Sequence, residues 1–153
     1  MTVSQQTARK EIFALVATAW AESEDIIDYL PEVRYQGIEE AELPGSDLYW
    51  MRASTQNVMT TQVGHAMPET GVSQVIYRTV GFVTLQVFAP MNIRGSYEKG
   101  ELLSSLGQRM FMASETPGAV WFRNPRIREL NNDGTWYRWN VIADYQFDQS
   151  KGA

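Results

Sequence analysis

The segment Gly134–Gln149, GTWYRWNVIADYQFDQ, constrains the fold of this chain more than any other. Odd positions carry Thr135, Tyr137, Trp139, Val141, Ala143, Tyr145 and Phe147. Even positions carry Arg138, Asn140, Ile142, Asp144, Gln146 and Asp148, with Ile142 and the entering Trp136 out of step. Side chains alternate faces along a strand, so this pattern predicts a long strand with one aromatic, buried face and one polar face. Asp133-Gly134 just before it is a two-residue hairpin signal, since both residues tolerate the positive φ of a type I′ turn. A half-buried antiparallel sheet is therefore expected to close the chain.

Upstream segments fit such a sheet. Residues 5–21 read as a helix, with Ala8, Ile12, Leu15, Val16 and Ala19 at helical spacing and Phe13 and Trp20 widening the stripe. Residues 22–47 are acidic and broken by Pro31, Gly37, Pro44 and Gly45, leaving room for a short strand near Val33–Gln36. Residues 48–63 predict a long strand, 64–72 a Gly/Pro loop, and 74–88 the partner strand, ended by Pro90. Ser96 is the expected N-cap of a second helix. That helix carries Leu102, Leu103, Leu106, Met110 and Ala113 on its apolar stripe, with Phe111 and Met112 off it. Val120–Arg123 and Arg126–Leu130 read as short strands separated by Pro125. The order α-β-β-β-α-β-β predicts one α+β domain over residues 1–153, an antiparallel sheet with two main helices packed on it.

Composition narrows the function. The 153 residues contain no cysteine, which excludes disulfides, thiolate metal sites and a cysteine nucleophile. Neither a membrane span nor a secretory leader is visible. The net charge of −5 is unevenly placed. Residues 1–47 hold ten acids and three bases; the remainder holds eight acids and ten bases. Arginines greatly outnumber lysines, and arginine is favoured at interfaces because its planar fork makes several directed bonds.

Known chemistries find little support. His65, the one histidine, sits in the predicted loop, a poor place for the base of a triad. One histidine without cysteine makes a zinc site improbable. Glu39, Glu40 and Glu42 lack the spaced Asp/Asn/Gly loop of a calcium site and read as a solvated acidic loop. Ser96-Tyr-Glu-Lys99 has S-x-x-K spacing without its companion motifs. Asp144 and Asp148 share a polar strand face and read as solvated acids. The run Arg123-Asn-Pro-Arg126-Ile-Arg128 could hold phosphates or, equally, the acids of another chain. No cofactor, metal or catalytic residue is expected.

Several short patterns, in order, are similar to the tail terminator proteins of long-tailed bacteriophages. They begin with the helix TARKEIFALVATAW and the strand Trp50-Met51-Arg52, which runs to Gln62-Val63-Gly64. The strand Arg78-Thr-Val-Gly-Phe-Val-Thr-Leu-Gln86-Val-Phe-Ala-Pro90 resembles the family's R-x-x-G-x-x-x-x-Q-x-F-x-P strand. Gly95 with its helix, Gly118-Ala-Val-Trp121-Phe122-Arg123 and Trp136-Tyr-Arg-Trp-Asn140-Val141 complete the likeness, which spans most of residues 7–147.

The resemblance implies a non-enzymatic virion subunit, made in the bacterial host cytoplasm and placed at the tail–neck junction. It implies a homo-oligomeric ring, six-fold, that caps the tail tube protein, ends tube polymerisation and meets the head connector or stopper. DNA would pass through the lumen without specific binding, and no membrane is involved. Met59, Gln62, His65 and Met67 around the loop, Arg123, Arg126 and Arg128, and the acids Glu39, Glu40 and Glu42 are the candidate subunit or tube contacts. The alternatives are a head–tail joining protein of the neck and, in a different class, a small ligand-binding domain or enzyme.

Overall fold

The closing alternation forms the centre of the architecture. In a computed structural model, which describes residues 2–38, 42–66, 71 and 74–151, it is strand β5, Trp136–Lys151. Its odd face is buried: Trp139, Val141, Ala143, Tyr145 and Phe147 are all nearly inaccessible. The preceding elements are α1 (Gln5–Trp20), a 3-10 turn (Ala21–Asp25), β1 (Glu32–Tyr35), β2 (Trp50–Ala66), β3 (Gln74–Pro90), α2 (Ser96–Arg109) and β4 (Trp121–Leu130). The five strands make one sheet in the order β1-β2-β3-β5-β4.

The expected α+β order is the observed one. All strand pairs are antiparallel except β1 with β2, which run parallel with Val33 opposite Met51. The acidic stretch between these two strands is long enough for a crossover, which a parallel pair requires and a hairpin does not.

Both helices lie on the odd face of the sheet. Ala8, Ile12, Val16 and Trp20 of α1 and Leu103 and Leu106 of α2 join Met51, Ala53, Val83, Leu85, Val87, Val141 and Phe147 in one core. Burying each large side chain of this set contributes about 1.5–3 kcal/mol. Ser4 caps α1 by accepting the Thr7 N–H at 3.1 Å.

Several local expectations are corrected. Gly95, at φ +79°, holds the N-cap position of α2, and Ser96 is the first helical residue, buried. Leu102 is 55% exposed, while Phe111 is fully buried against Phe122. The helix ends at Arg109, so the chain no longer follows helical spacing where Phe111 lies. The small residues Gly100, Ser104 and Gly107 are the ones that bring α2 down onto the sheet. A Cβ on Gly100 would run into the Trp139 ring.

The predicted 64–72 loop begins too early, since β2 continues through Ala66. Residues 67–70, 72 and 73 lie outside the described residues. The β4–β5 hairpin exists, but residues 131–135 connect its strands instead of two. Gly134 has φ +88° while Asp133 does not enter the left-handed region, so a type I′ turn cannot form. The Asp133 carboxylate instead accepts the N–H groups of Thr135 and Trp136 at 2.9 and 2.8 Å.

Candidate interaction surfaces

Among the described residues, no helix covers the even face of the sheet. Cross-strand partners share a face, and the register places Arg34, Arg52, Arg78, Arg123, Arg126, Arg128 and Arg138 together there. Glu32, Asp144 and Asp148 are the strand acids of the same face. Among the described strand residues of this face, seven arginines against three acids sum to +4. The rest of the chain, with six bases and fifteen acids, stands at −9. Charge is thus divided by sheet face as well as along the sequence.

The bulge in β4 is what unites the predicted arginines. By simple alternation Arg123 would face away from Arg126 and Arg128. The pairing shifts between Arg123, opposite Asp144, and Arg126, opposite Ile142. One extra residue is absorbed there, with Asn124 at φ +54°, and all three side chains emerge on one face. Pro125, which cannot donate to a ladder, sits inside the bulge, and its carbonyl accepts Gln108 Nε2–H at 3.0 Å. The two predicted strand fragments are therefore one bulged edge strand.

The carboxylates of this face are already used. Asp148 takes a two-point bond from Arg78 at 2.8 and 3.1 Å, and Asp144 pairs with Arg126 at 3.3 Å. Reading these two acids as merely solvated is corrected accordingly. Arg123 bonds to Gln146, and Arg138 donates twice to the Asn131 carbonyl. Arg128 has no partner among the described residues. Arg52 lies over the Trp50 ring, 5.0 Å from its centroid, and makes no ion pair there. Trp50 stacks on Phe88 at 3.9 Å, and Trp136 closes the pair edge-on at 5.6 Å. This small apolar cluster explains why Trp136 breaks the alternation: it is buried on the opposite face from Trp139.

Between β1 and the centre of the sheet the bare face forms an open groove of about 780 Å³, lined in part by Arg34, Arg52, Thr84, Gln86 and Asn140. The Asn140 Oδ1 atom is buried and has no hydrogen-bond partner among the described residues. A smaller depression of about 340 Å³ is lined in part by Val58, Phe82, Arg123 and Asp144.

The far half of the β2–β3 hairpin is a second surface. β1 covers only Trp50–Ala53, and the Gln36 side chain accepts the Thr55 N–H at 2.8 Å. Beyond that point no described strand pairs with the outer edge of β2. Val58, Met59 and Val63 are 63%, 56% and 47% exposed, and residues 53–66 contain no acid, lysine or arginine. Monomeric proteins usually blunt such an edge with charge or proline. Bulges at Asn57/Met59 and Gln62/Gly64 twist it. At its root the buried Tyr145 phenol, pushed up to about 12 by desolvation, stays protonated and donates to Asn57 Oδ1.

A third surface is acidic. Glu22, Glu24, Asp25 and Asp28 are exposed on and just after the 3-10 turn, beside exposed Tyr29 and Leu30. That turn follows α1 and packs against α2, so it belongs to the helix layer and not to the arginine face.

The predicted contact residues thus fall on different surfaces. Register places Met59 on the same face as Arg123, Arg126 and Arg128, whereas Gln62 and His65 point to the other side of the arm. Glu42 is exposed; Met67, Glu39 and Glu40 lie outside the described residues. Sequence reasoning missed Arg34, Arg52, Arg78 and Arg138 as companions of the β4 arginines, because only the strand order and register bring them together.

Among the described residues, no three His, Asp or Glu side chains are placed to hold a metal, and no helix is long and apolar enough to cross a membrane. No protein-family model matches the chain, and no curated protein does. Fifteen solved chains match it in structure. One of them, whose name describes no function, superposes with a TM-score of 0.60 over 95% of this chain and 96% of its own, at 17% identity. At that identity the similarity extends to the fold alone.

Proposed function

We propose that this chain is a structural subunit of a phage tail terminator: a ring that caps the tail tube, ends its polymerisation and offers a surface to the head connector. The ordered sequence patterns that resemble that family motivate the reading. The observation that carries it furthest is the division of charge within one small fold, an arginine face on the bare sheet and an acidic turn in the helix layer. A closed ring needs two different, mutually complementary patches on each subunit, and this division supplies a pair. The uncharged arm of β2, with exposed Val58, Met59 and Val63, supplies a third patch for the tube or connector protein. Backbone pairing along an open strand edge gives affinity without demanding charge complementarity.

The test is the length of tails assembled without this protein. Over-long tubes are expected. Tails of normal length that fail to join heads would replace this reading with that of a neck protein, and unaffected particles would remove the chain from virion assembly altogether.

A further inference from the structure

We infer that the arginine face of the sheet is the docking surface for the acidic 3-10 turn of a second copy of this chain. This deepens the ring reading and rests on it for closure of the ring. The face has the anatomy of an interface: Phe82 and Ile142 are half-buried near its centre, and Arg123, Arg126 and Arg128 stand along its β4 edge. Interfaces combine an apolar core with a polar rim and are enriched in arginine. The turn has the complementary composition, with Glu24, Asp25 and Asp28 around the exposed Leu30.

Symmetry makes the direction of contact a consequence of charge. A two-fold dimer through the sheet would set arginine face against arginine face, and like charges opposed across an interface disfavour association. A two-fold dimer through the turn would oppose acids in the same way. The face and the turn lie on different layers of the subunit, so a head-to-tail arrangement brings the +4 face to the acidic turn of the next copy without opposing like charges. Among the described residues, Asp144 and Asp148 are engaged by Arg126 and Arg78, and neither Arg128 nor Arg52 is paired with an acid. Asn140 Oδ1, buried in the groove and without a partner among the described residues, would accept a backbone N–H from the docked chain.

The experiment uses two variants of the full chain. Arg123→Glu with Arg128→Glu reverses the face, and Glu24→Lys with Asp25→Lys reverses the turn. Sedimentation velocity over a concentration series, at low and high salt, reads self-association. Wild type is expected to associate in a concentration-dependent way that salt weakens. Each variant alone should lose about tenfold or more in affinity, because each opposes like charges. An equimolar mixture of the two should recover association, because the native turn of one then meets the native face of the other, and the reversed pair is also complementary. Recovery also shows that both variants are folded. If the double arginine variant does not fold, Arg128→Glu alone takes its place, since the Arg128 side chain has no partner among the described residues.

A wild type that stays monomeric throughout, single variants that associate normally, or a mixture that fails to recover would each overturn the contact. So would duplex DNA binding at about 0.15 M salt that the arginine reversal abolishes, which would assign the face to phosphates. The outcome separates from the tail-length experiment: failed recovery alongside over-long tubes would remove the contact and leave the terminator, and the opposite pair of results would do the reverse.

Discussion

At the scale of single residues, close approach decides more than chemistry does. A Cβ on Gly81 would collide with the backbone carbonyl of Gln56 and with the Tyr145 phenol. The carbonyl cannot swing aside as a side chain can. Gly81→Ala is therefore expected to destabilise by about 1–3 kcal/mol in urea denaturation, the usual range for overpacking. Gly64→Ala is the matched control: no described residue lies within 4 Å of its Cβ position, and its change should stay within about 0.5 kcal/mol. Asp133 makes a second residue-scale prediction. Burial raises its pKa, but the N–H groups of Trp136 and Thr135, with Arg138 nearby, outweigh it and leave the value lowered. A carboxyl lowered in the folded state stabilises above its unfolded pKa, about 3.9, and loses that contribution as pH falls through the folded value. Asp133→Ala should cost about 0.5–1.5 kcal/mol near neutrality. The gap between variant and wild type should close below pH 3.9 (about) in denaturation curves taken across pH.

At the scale of elements, the exposed arm of β2 is separable from the core. Val58, Met59 and Val63 have about half or more of their surface in solvent, so changing all three to Ser removes little burial. Stability should move by no more than about 0.5 kcal/mol per site, while tube capping in an assembly assay should fall. Normal capping by a folded triple variant would refute a role for the arm. The β4 edge is managed differently. Its bulge, Pro125 and charged side chains discourage strand addition, so sheet extension, if it occurs, is expected at β2 and not at β4.

At the scale of the whole molecule, the two charged surfaces lie on different layers, and their field should guide orientation more than strength. Exposed ion pairs contribute about 0–1 kcal/mol each. If arginines are taken up in subunit contacts, a ring of chains at −5 apiece presents little affinity for a polyanion. Binding of the assembled protein to duplex DNA at about 0.15 M salt is expected to be no tighter than the non-specific range near 10⁻⁴ M, roughly. Micromolar binding with a steep salt dependence would contradict this and favour a component that grips DNA.

Much of the fold was legible along the chain because its signals are local. The alternation in Tyr137–Phe147 depends only on which neighbours face the same way, and α1 declares itself by the spacing of Ala8, Ile12 and Val16. Breakers such as Pro125 marked where pairing would be irregular. The sequence could not show that β1 runs parallel to β2, that Gly95 rather than Ser96 caps α2, or that Phe111 is core. Each depends on what lies across the molecule and not on the next few residues. The candidate surface depended on tertiary structure in the same way. Arg34, Arg52, Arg78 and Arg138 are scattered along the chain, and strand order and register alone carry them to one face. Arg123 joins Arg126 and Arg128 there because a single bulged residue inverts the alternation between them. Composition alone set the excess of arginine; the sheet decided that most of it would share one side.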